Sequence, residues 1–223
     1  MVLENDYGVV MNHKRIRRIM KKYGLITQVR KSKPYAKMLR ATYEHKTLPN
    51  ILKRNFKQEK IQKVLLTDIT YLYYNNGQKA YLSAVKDIAS KEIVAYHLSA
   101  GLDMSIVLKT LDRLEDKLQP IDDAETLIHS DQGFHYTNLT YQLKVKELGL
   151  TQSMSRRGNC LDNAPMESFF GHMKDEMEYK QSMSLNELNQ IVDKYIKYYN
   201  YDRYQWNLKK MSPVQYRTHL LSA

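Results

Sequence analysis

The run VLLTDITYLYY at residues 64–74 constrains the fold of this chain more than any other stretch. β-Branched and aromatic residues dominate it, and it ends at Asn75-Asn76-Gly77, a sequence typical of a hairpin turn. The segments KAYLSAVKDI and EIVAYHLSA follow with a similar composition. The sequence therefore predicts three successive strands joined as a meander.

Helices and short strands alternate after this meander. Apolar residues at helical spacing predict a helix over 105–118, and the apolar segment TLIHSD at 126–131 predicts a fourth strand. A helix at YQLKVKEL, a fifth strand at TQSM, a helix capped by Asn163 and a helix over 186–200 complete the order. This order indicates an α/β domain built on a mixed sheet.

Three carboxylates occupy special places in this pattern. Asp68 lies inside the first strand, where a carboxylate is unfavourable unless it is paired, protonated or bound to a metal. Asp131 closes the fourth strand, at the end where α/β sheets present ligand sites. Glu167 lies near the start of a helix, where the helix dipole favours its ionised form.

Three neighbouring carboxylates repel each other, and divalent cations remove that repulsion. Oxygen ligands favour Mg²⁺ or Mn²⁺, and two such ions can activate a hydroxyl and stabilise the leaving oxygen of a phosphoryl transfer. Each acid alone has a simpler explanation: a bulge for Asp68, a turn for Asp131 and a helix start for Glu167. His129 lies beside the site or is a hydrogen-bonded core histidine, and Asp87 is interpreted as a turn residue.

Positive charge is concentrated in the first quarter of the chain. Residues 1–63 contain 17 Lys and Arg against 4 Asp and Glu, whereas the rest of the chain contains 18 against 20. Such a basic arm indicates a polyanionic partner, in particular a nucleic acid. The segment NHKRIRRIMKKYG at 12–24 predicts a basic helix between Asn12 and Gly24. With the turn at Tyr7-Gly8 it outlines a short helix-turn-helix, although a solvated basic helix packed on the body is an equal alternative.

Several classes of protein are excluded by what the sequence lacks. It has no run of 18 apolar residues, no signal-peptide pattern and a single cysteine, so we expect a soluble cytoplasmic protein without disulfides or structural zinc. The phosphate-binding and dinucleotide-binding glycine motifs are missing too. The predicted organisation is a partial helix-turn-helix-like segment at 1–26, a basic linker at 27–63, a catalytic core at 64–180 and a helical extension at 181–223.

The motifs around the acids carry a family resemblance. TDITY, HSDQGFHY and SMSRRGNCLDNAPMESFF, with 35 residues between Asp131 and Glu167, resemble the core motifs of bacterial insertion-sequence transposases. The C-terminal YNYDRYQWNLKKMSPVQYR is similar as well. The chain most resembles the second-frame, catalytic subunit of the IS-three family, which is related to retroviral integrases.

This resemblance implies a fold, an activity and a set of site residues. The fold is an RNase H-like, mixed five-stranded sheet flanked by helices and preceded by a small basic segment. Asp68, Asp131 and Glu167 become the catalytic, metal-binding acids, with two Mg²⁺ (or Mn²⁺) ions. The enzyme would nick the element end, free a 3′-hydroxyl and transfer it into target DNA without a covalent protein–DNA intermediate.

The implied DNA-binding residues, including those of the basic helix, are Lys14, Arg15, Arg17, Arg18, Lys21, Lys22, Arg156, Arg157, Asn159 and Lys174. Gly171 departs from the family, which often carries a lysine there.

The implied partners are the DNA of the element ends and of the target. A homo-oligomer on DNA is also expected, as is an upstream-frame DNA-binding protein or a frameshift fusion with it, acting at the bacterial nucleoid. Two other hypotheses stay open. A standalone RNase H-like nuclease would share the acids without needing the basic arm, and a non-catalytic DNA-binding remnant of a mobile element would use the arm alone.

Overall fold

A mixed five-stranded sheet forms the centre of the computed structural model, which describes residues 2–25, 47–118, 126–156 and 160–222. The strands are β1 (Val64–Tyr74), β2 (Gln78–Asp87), β3 (Ile93–Ser99), β4 (Leu127–Ser130) and β5 (Thr151–Met154). Their order across the sheet is β3-β2-β1-β4-β5. The central one of the three long strands, β2, is antiparallel to both β1 and β3, whereas β4 pairs parallel with β1 and with β5. The predicted five-stranded mixed sheet is confirmed.

Helices cover both faces of this sheet. They are α1 (Val2–Asn5), α2 (His13–Lys22), α3 (Ser105–Glu115), α4 (Phe134–Thr137), α5 (Leu139–Glu147), α6 (Ala164–Glu176), α7 (Leu185–Tyr201) and α8 (Pro213–Leu221). Short 3₁₀ turns lie at Asn75–Gly77, Cys160–Asn163 and Trp206–Leu208. Within the described ranges, no helix is both long and apolar enough to cross a membrane.

The β1–β2 hairpin forms because its turn residues accept a left-handed backbone. Asn76 has φ 56° and Gly77 has φ 103°, values that asparagine and glycine adopt more readily than other residues. The turn leaves β1 and β2 paired along their whole length, from Leu65 opposite Asp87 to Tyr74 opposite Gln78. The hairpin predicted from the sequence is confirmed.

Two hydrophobic cores lie on opposite faces of the sheet. On one face, Leu66, Leu72 and Leu82 pack with Phe169 of α6 and Val192 of α7. On the other face, the core is formed by residues of the sheet, α3, α4 and α5, including Leu65, Val85, Ile106, Leu111, Ile128, Tyr136 and Tyr141. Alternation along β1 therefore sends successive side chains to different helices.

The basic helix α2 has the capping that its sequence predicts. The Asn12 side chain accepts a hydrogen bond from the Lys14 amide at 2.9 Å, and Gly24 follows the helix with φ 65°. No residue of α2 is buried. The segment before it is held by the loop after α7, where Lys210 pairs with Glu4 at 2.7 Å.

The start of α6 differs from the prediction. Asn163 does occupy the residue before the helix, but its side chain makes no capping bond. Its Nδ2 instead donates to the Thr67 carbonyl of β1 at 3.3 Å. The predicted Asn163 cap is therefore wrong, because a strand carbonyl distant in sequence takes the asparagine side chain.

A buried lysine of β2, Lys86, contacts the first turn of α6 from the sheet. The Nζ atom of Lys86 on β2 donates to the Pro165 carbonyl at 3.3 Å and lies 5.5 Å and 5.7 Å from the ring centroids of Phe169 and Tyr199. In the part of the chain that the structure describes, Lys86 forms no ion pair. Burial, with a smaller effect from the charge of Arg203, lowers the pKa of Lys86 to about 7.

The pH dependence of stability tests this environment. Because the unfolded chain keeps the ordinary lysine pKa of about 10.4, it binds more protons than the folded chain between about pH 7 and pH 10. The contribution of Lys86 to stability therefore increases as pH rises through that window. We expect Lys86→Met to have a higher free energy of unfolding than the parent chain at pH 7. This difference in unfolding free energy should decrease by ~1 kcal/mol or more at pH 9.

Urea unfolding at the two pH values measures this effect. Lys109→Met, at an exposed lysine of α3, is the matched control and should show no such change with pH. If the unfolding free energies of the parent chain and of Lys86→Met changed equally with pH, the lowered pKa assigned to Lys86 would be contradicted.

Candidate active site

The pairing of β1 with β4 brings Asp68 and Asp131 together. The two strands are parallel, with Leu66 opposite His129. Asp68 and Asp131 each come two residues later, so they follow the same end of the paired segment on adjacent strands, and the charge of Asp131 reaches Asp68. The β1–β4 pairing ends before either acid, and both carboxylates therefore lie just beyond it.

Glu167 is brought to these aspartates by α6. This helix packs against β1, and Glu167 lies in its first turn, where Pro165 also fits because it needs no amide donor there. Met166, Phe169 and Phe170 of the same helix are buried. Glu167 is exposed, and its charge interacts with those of Asp68 and Asp131.

Burial makes all three carboxyl groups harder to ionise, and neighbouring acids add to the effect at Asp68 and Glu167. Desolvation, followed by the charge of Asp131 and partly that of Glu167, raises the pKa of Asp68 to about 8. Desolvation and the charge of Asp131 likewise raise the pKa of Glu167. The pKa of Asp131 is also raised by surrounding protein, although its exposure at the end of β4 lets water weaken that effect.

Each aspartate is turned towards a backbone amide. Asp68 Oδ1 accepts from the Ile69 amide at 2.8 Å, and Asp131 Oδ1 accepts from the Gly133 amide at 2.8 Å. A Cβ atom at position 133 would lie 2.9 Å from Asp131 Oδ1, so glycine leaves room for this carboxyl. Across the described ranges, no three His, Cys, Asp or Glu side chains are close enough to hold one metal ion. The three acids are thus close enough to interact electrostatically, but the two aspartate carboxyl groups are oriented towards backbone amides and not towards a common point.

The site nevertheless has the chemistry of a divalent-cation site. Its three acids offer only oxygen ligands, and burial raises the pKa of each, with a further contribution from neighbouring carboxylates at Asp68 and Glu167. Lys174 is a nearby cation, whose charge lowers the pKa of Asp68 slightly. Lys174 Nζ donates to Thr70 Oγ1 at 2.5 Å and lies 4.8 Å from the Tyr71 ring centroid. This donor set suits Mg²⁺ or Mn²⁺.

An ion-pair cluster surrounds Asp162, just before α6. The buried Asp162 carboxylate accepts from Arg54 Nε at 2.6 Å, from Asn50 Nδ2 at 2.9 Å and from the Arg156 guanidinium at 3.1 Å. The Arg156 amide donates to it as well, at 2.9 Å. These bonds, the Arg156 side-chain bonds foremost, hold the pKa of Asp162 well below its usual range. The cluster sets where α6 begins, and so where Glu167 lies.

Sequence reasoning did not identify Asp162 as important. The available signal was an acid inside a polar loop, SRRGNCLDNAP, that otherwise carries arginine and asparagine. Arg156 was predicted to bind DNA, and the structure gives it a second partner in Asp162. Arg157 and Asn159, also predicted to bind DNA, lie outside the described residues.

Two other polar residues have structural partners. His129 is fully buried, and its ring nitrogens contact Ser153 Oγ at 2.8 Å and Ser155 Oγ at 3.2 Å, so it is a hydrogen-bonded core histidine. Asp87 accepts from the Ser90 hydroxyl at 2.7 Å, as its interpretation as a turn residue predicts.

Tyr136 is a neighbour of the acids that the sequence did not reveal. Its phenol is buried, and the Thr67 side chain lies beside its hydroxyl. Desolvation, followed by the charge of Asp68, raises the pKa of Tyr136 far above its ordinary value. A neutral, buried phenol therefore lies beside Asp68.

The predicted DNA-binding cations of α2 are all exposed. They are Lys14, Arg15, Arg17, Arg18, Lys21 and Lys22. Asn12 and the partly buried Ile16, Ile19 and Met20 orient the helix, so the basic side chains face solvent. The helix therefore presents a continuous cationic surface outside the sheet domain.

Comparisons with known proteins agree with this architecture. Integrase core domain models match residues 58–160 and 167–221, and an HTH-like domain model matches residues 1–33. The chain is 40% identical over 211 residues to the putative transposase InsK of insertion sequence element IS150 from Escherichia coli K12, covering 94% of this chain and 72% of that protein. It is 37% identical to an uncharacterized transposase-like protein of Haemophilus influenzae, covering 96% of each.

Solved structures share the fold at low sequence identity. A chain of the simian T-cell lymphotropic virus intasome, in complex with PP2A regulatory subunit B56 gamma, superposes with a TM-score of 0.60 at 16% identity, covering 79% of this chain and 60% of that one. The HTLV-2 integrase catalytic core domain in complex with magnesium gives a TM-score of 0.53 at 14% identity, covering 70% and 96%. These similarities establish an integrase-like, RNase H-like core.

Removal of the Asp162 carboxylate tests the cluster before α6. Asp162→Ala leaves the Asn50 side chain and the Arg156 amide without their acceptor, so we expect a loss of about 2 kcal/mol in unfolding free energy at pH 7. The native carboxylate has a lowered pKa, so its contribution is present above the ordinary aspartate pKa and is lost as pH falls through the native one. The difference in unfolding free energy between the parent chain and Asp162→Ala should therefore decrease as the pH is lowered.

Denaturant unfolding from pH 7 down to pH 3 measures both effects. Asp112→Ala is the control, because it removes a 61% exposed aspartate that pairs with Lys144 at 3.4 Å and should change stability little. Equal losses in the two variants would contradict a special role for Asp162.

Proposed function

The chain belongs to the insertion-sequence transposases, whose catalytic part is an integrase core domain, and we propose that Asp68, Asp131 and Glu167 are the acids with which it cuts and joins DNA. DNA transposition is the function of this family. The assignment of the three acids is supported chiefly by the β1–β4 pairing, which ends two residues before each aspartate and so favours their lying close together. The electrostatic interaction of both with Glu167 supports it further.

The same acids would hold Mg²⁺ or Mn²⁺, and we propose two ions. Bound ions would supply positive charge at the attacking and leaving oxygens of the phosphoryl transfer. The oxygen-only donor set and the uncompensated negative charge of the site favour this assignment, as does the magnesium of the HTLV-2 core. To bind the ions, Asp68 and Asp131 would have to rotate their carboxyl groups away from the Ile69 and Gly133 amides, from which they now accept hydrogen bonds.

The protein's own side chains have separate tasks in this proposal. α6 carries Glu167 towards the aspartates, while the Asp162 cluster and Lys86 hold that helix in place. Lys174, close to Asp68, would contact a phosphate of the DNA end. Arg156, Arg157 and Asn159 would contact the same end. The exposed cations of α2 would bind the backbone of neighbouring duplex, which gives affinity without reading sequence.

Two further partners belong to this proposal. We infer that the enzyme acts at the nucleoid as a homo-oligomer that holds two element ends at once, since joining needs both ends in one complex. An upstream-frame DNA-binding protein, or a fusion with it, would add recognition of the end sequence. Light scattering on complexes with paired ends tests the first inference, and only monomers there would contradict it.

Neutralising single acids tests the catalytic assignment. Asp131→Asn and Glu167→Gln keep the shape of each side chain while removing its charge. We expect both to preserve the fold and DNA binding and to lower metal-dependent cleavage by about a hundredfold or more. The measurement is nicking and strand transfer of labelled duplexes from the boundary of the element, with and without Mg²⁺ or Mn²⁺.

Asp175→Asn is the matched control, since it neutralises an exposed carboxylate on the same helix as Glu167. A substantial residual rate in Glu167→Gln would mean that another residue is the third acid. Cleavage of RNA–DNA hybrids without strand transfer would favour a standalone nuclease. DNA binding without cleavage, with or without the upstream-frame protein, would favour a non-catalytic remnant.

A further inference from the structure

Two exposed tyrosines and a lysine form an aromatic surface near the tip of the β1–β2 hairpin. Tyr71 and Tyr73 are 49% and 43% exposed, and their ring centroids lie 5.3 Å apart in an edge-to-face arrangement. Lys79 is directly opposite Tyr73 on β2, and its Nζ lies 5.7 Å from both centroids. Tyr71, Tyr73 and Lys79 are called the hairpin aromatic surface below.

This surface is connected to the candidate active site. Lys174 lies 4.8 Å from the Tyr71 centroid and also hydrogen-bonds Thr70, two residues after Asp68. Tyr71 and Tyr73 come three and five residues after Asp68 on the same strand. At about 3.3 Å per residue their backbones lie roughly 10 Å and 17 Å farther along the strand. Because these separations are odd, the tyrosine side chains leave the opposite face of β1 from Asp68, and Lys174 contacts residues of both faces. Stacked DNA rises about 3.4 Å per nucleotide, so this distance corresponds to about three to five nucleotides.

The surface is not part of either hydrophobic core. β1 pairs with β4 only from Val64 to Leu66, so the second half of β1 is paired on one side, by β2. The neighbouring Leu72 and Tyr74 point to the other face and are buried there, whereas Tyr71 and Tyr73 remain in solvent. Large aromatic side chains that remain this exposed in the folded chain are well suited to contact a partner.

The chemistry of the surface matches nucleic acid. Tyrosine rings stack on bases of any sequence, and lysine ammonium groups bind phosphates. Lys79 and Lys174 have flexible stems, so their ammonium groups can leave the ring faces for backbone phosphates while bases take their place. Bases inside an intact duplex are stacked on each other, so such a surface favours unpaired ones.

We propose that the hairpin aromatic surface binds unpaired bases of the DNA substrate, about three to five nucleotides from the phosphate that is cut. The distance rests on the proposed function, because it is measured from the three acids. The substrate class is a DNA end whose last base pairs are opened. The surface holds the opened strand and so keeps the end from closing while the acids act on it.

Binding to a short DNA duplex tests the proposal, with one form blunt and the other carrying unpaired nucleotides at one end. The unpaired stretch includes 2-aminopurine, whose fluorescence reports stacking. We expect the parent chain to bind the unpaired form at least about fivefold more tightly than the blunt form. The double variant Tyr71→Ala/Tyr73→Ala should lose that preference, whereas Tyr71→Phe/Tyr73→Phe should retain it.

Lys79 is tested through the salt dependence of the same binding. Lys79→Met should lower the slope of log affinity against log salt by about 0.7, the value for one phosphate contact on a single strand. The tyrosine variants should leave the slope unchanged, because stacking releases no counterions. Lys79→Arg should restore it.

Tyr201→Ala is the control, since Tyr201 is 54% exposed on α7, away from the hairpin. Thermal unfolding verifies that every variant is folded. Retention of the preference in the double alanine variant would overturn the proposal. So would a change of oligomeric state in that variant with unchanged DNA binding, which would assign the surface to contacts with a second copy of the chain.

The acids are assayed separately, so the two proposals can fail independently. Asp131→Asn should bind the unpaired form as the parent chain does, because binding does not need the reaction. Undiminished cleavage by Asp131→Asn would reject the catalytic assignment, while the tyrosine variants would still decide whether unpaired bases are bound.

Discussion

β1 and β4 are hydrogen-bonded as parallel neighbours only from Val64 to Leu66 on one strand and from Leu127 to His129 on the other. Had the pairing continued, ladder bonds would join the backbones around the two aspartates. Because it stops, the strand segments that carry Asp68 and Asp131 are not hydrogen-bonded to each other, and α6, which packs on one face of the sheet, carries Glu167 towards them. The same early end exposes the second half of β1, where Tyr71 and Tyr73 lie. One break in strand pairing thus creates both the candidate catalytic site and the surface beside it.

A site made of three acids needs rigid support, because their mutual repulsion tends to push the elements apart. The support comes from charges placed outside the cluster. Asp162 joins the segment before β1 to the end of β5 and the start of α6 through Arg54 and Arg156. Lys86 contacts the first turn of α6 from inside the core. Buried ionic groups of this kind add little net stability but penalise alternative arrangements, so they favour one position for α6.

The sequence predicted features whose causes are local. The hairpin follows from Asn75-Asn76-Gly77 and the β-rich segments on either side, and the α2 cap follows from Asn12 in front of a basic amphipathic run. The three acids stood out because each lies at a strand or helix position where a carboxylate is unusual.

What the sequence did not reveal depends on contacts between distant residues. Asp162 meets Asn50 and Arg54, which are more than a hundred positions away, so the arginines and asparagines near it in the sequence do not identify these two partners. The Asn163 cap failed for the same reason, since the Thr67 carbonyl took its side chain. Gly133 shows how a residue without a side chain can direct a carboxylate. A Cβ atom there would lie 2.9 Å from Asp131 Oδ1, so a larger residue would move that carboxyl away from the Gly133 amide, which is the same rotation that metal binding would need. The glycine therefore favours the orientation in which Asp131 accepts from the backbone over the one in which it would hold an ion.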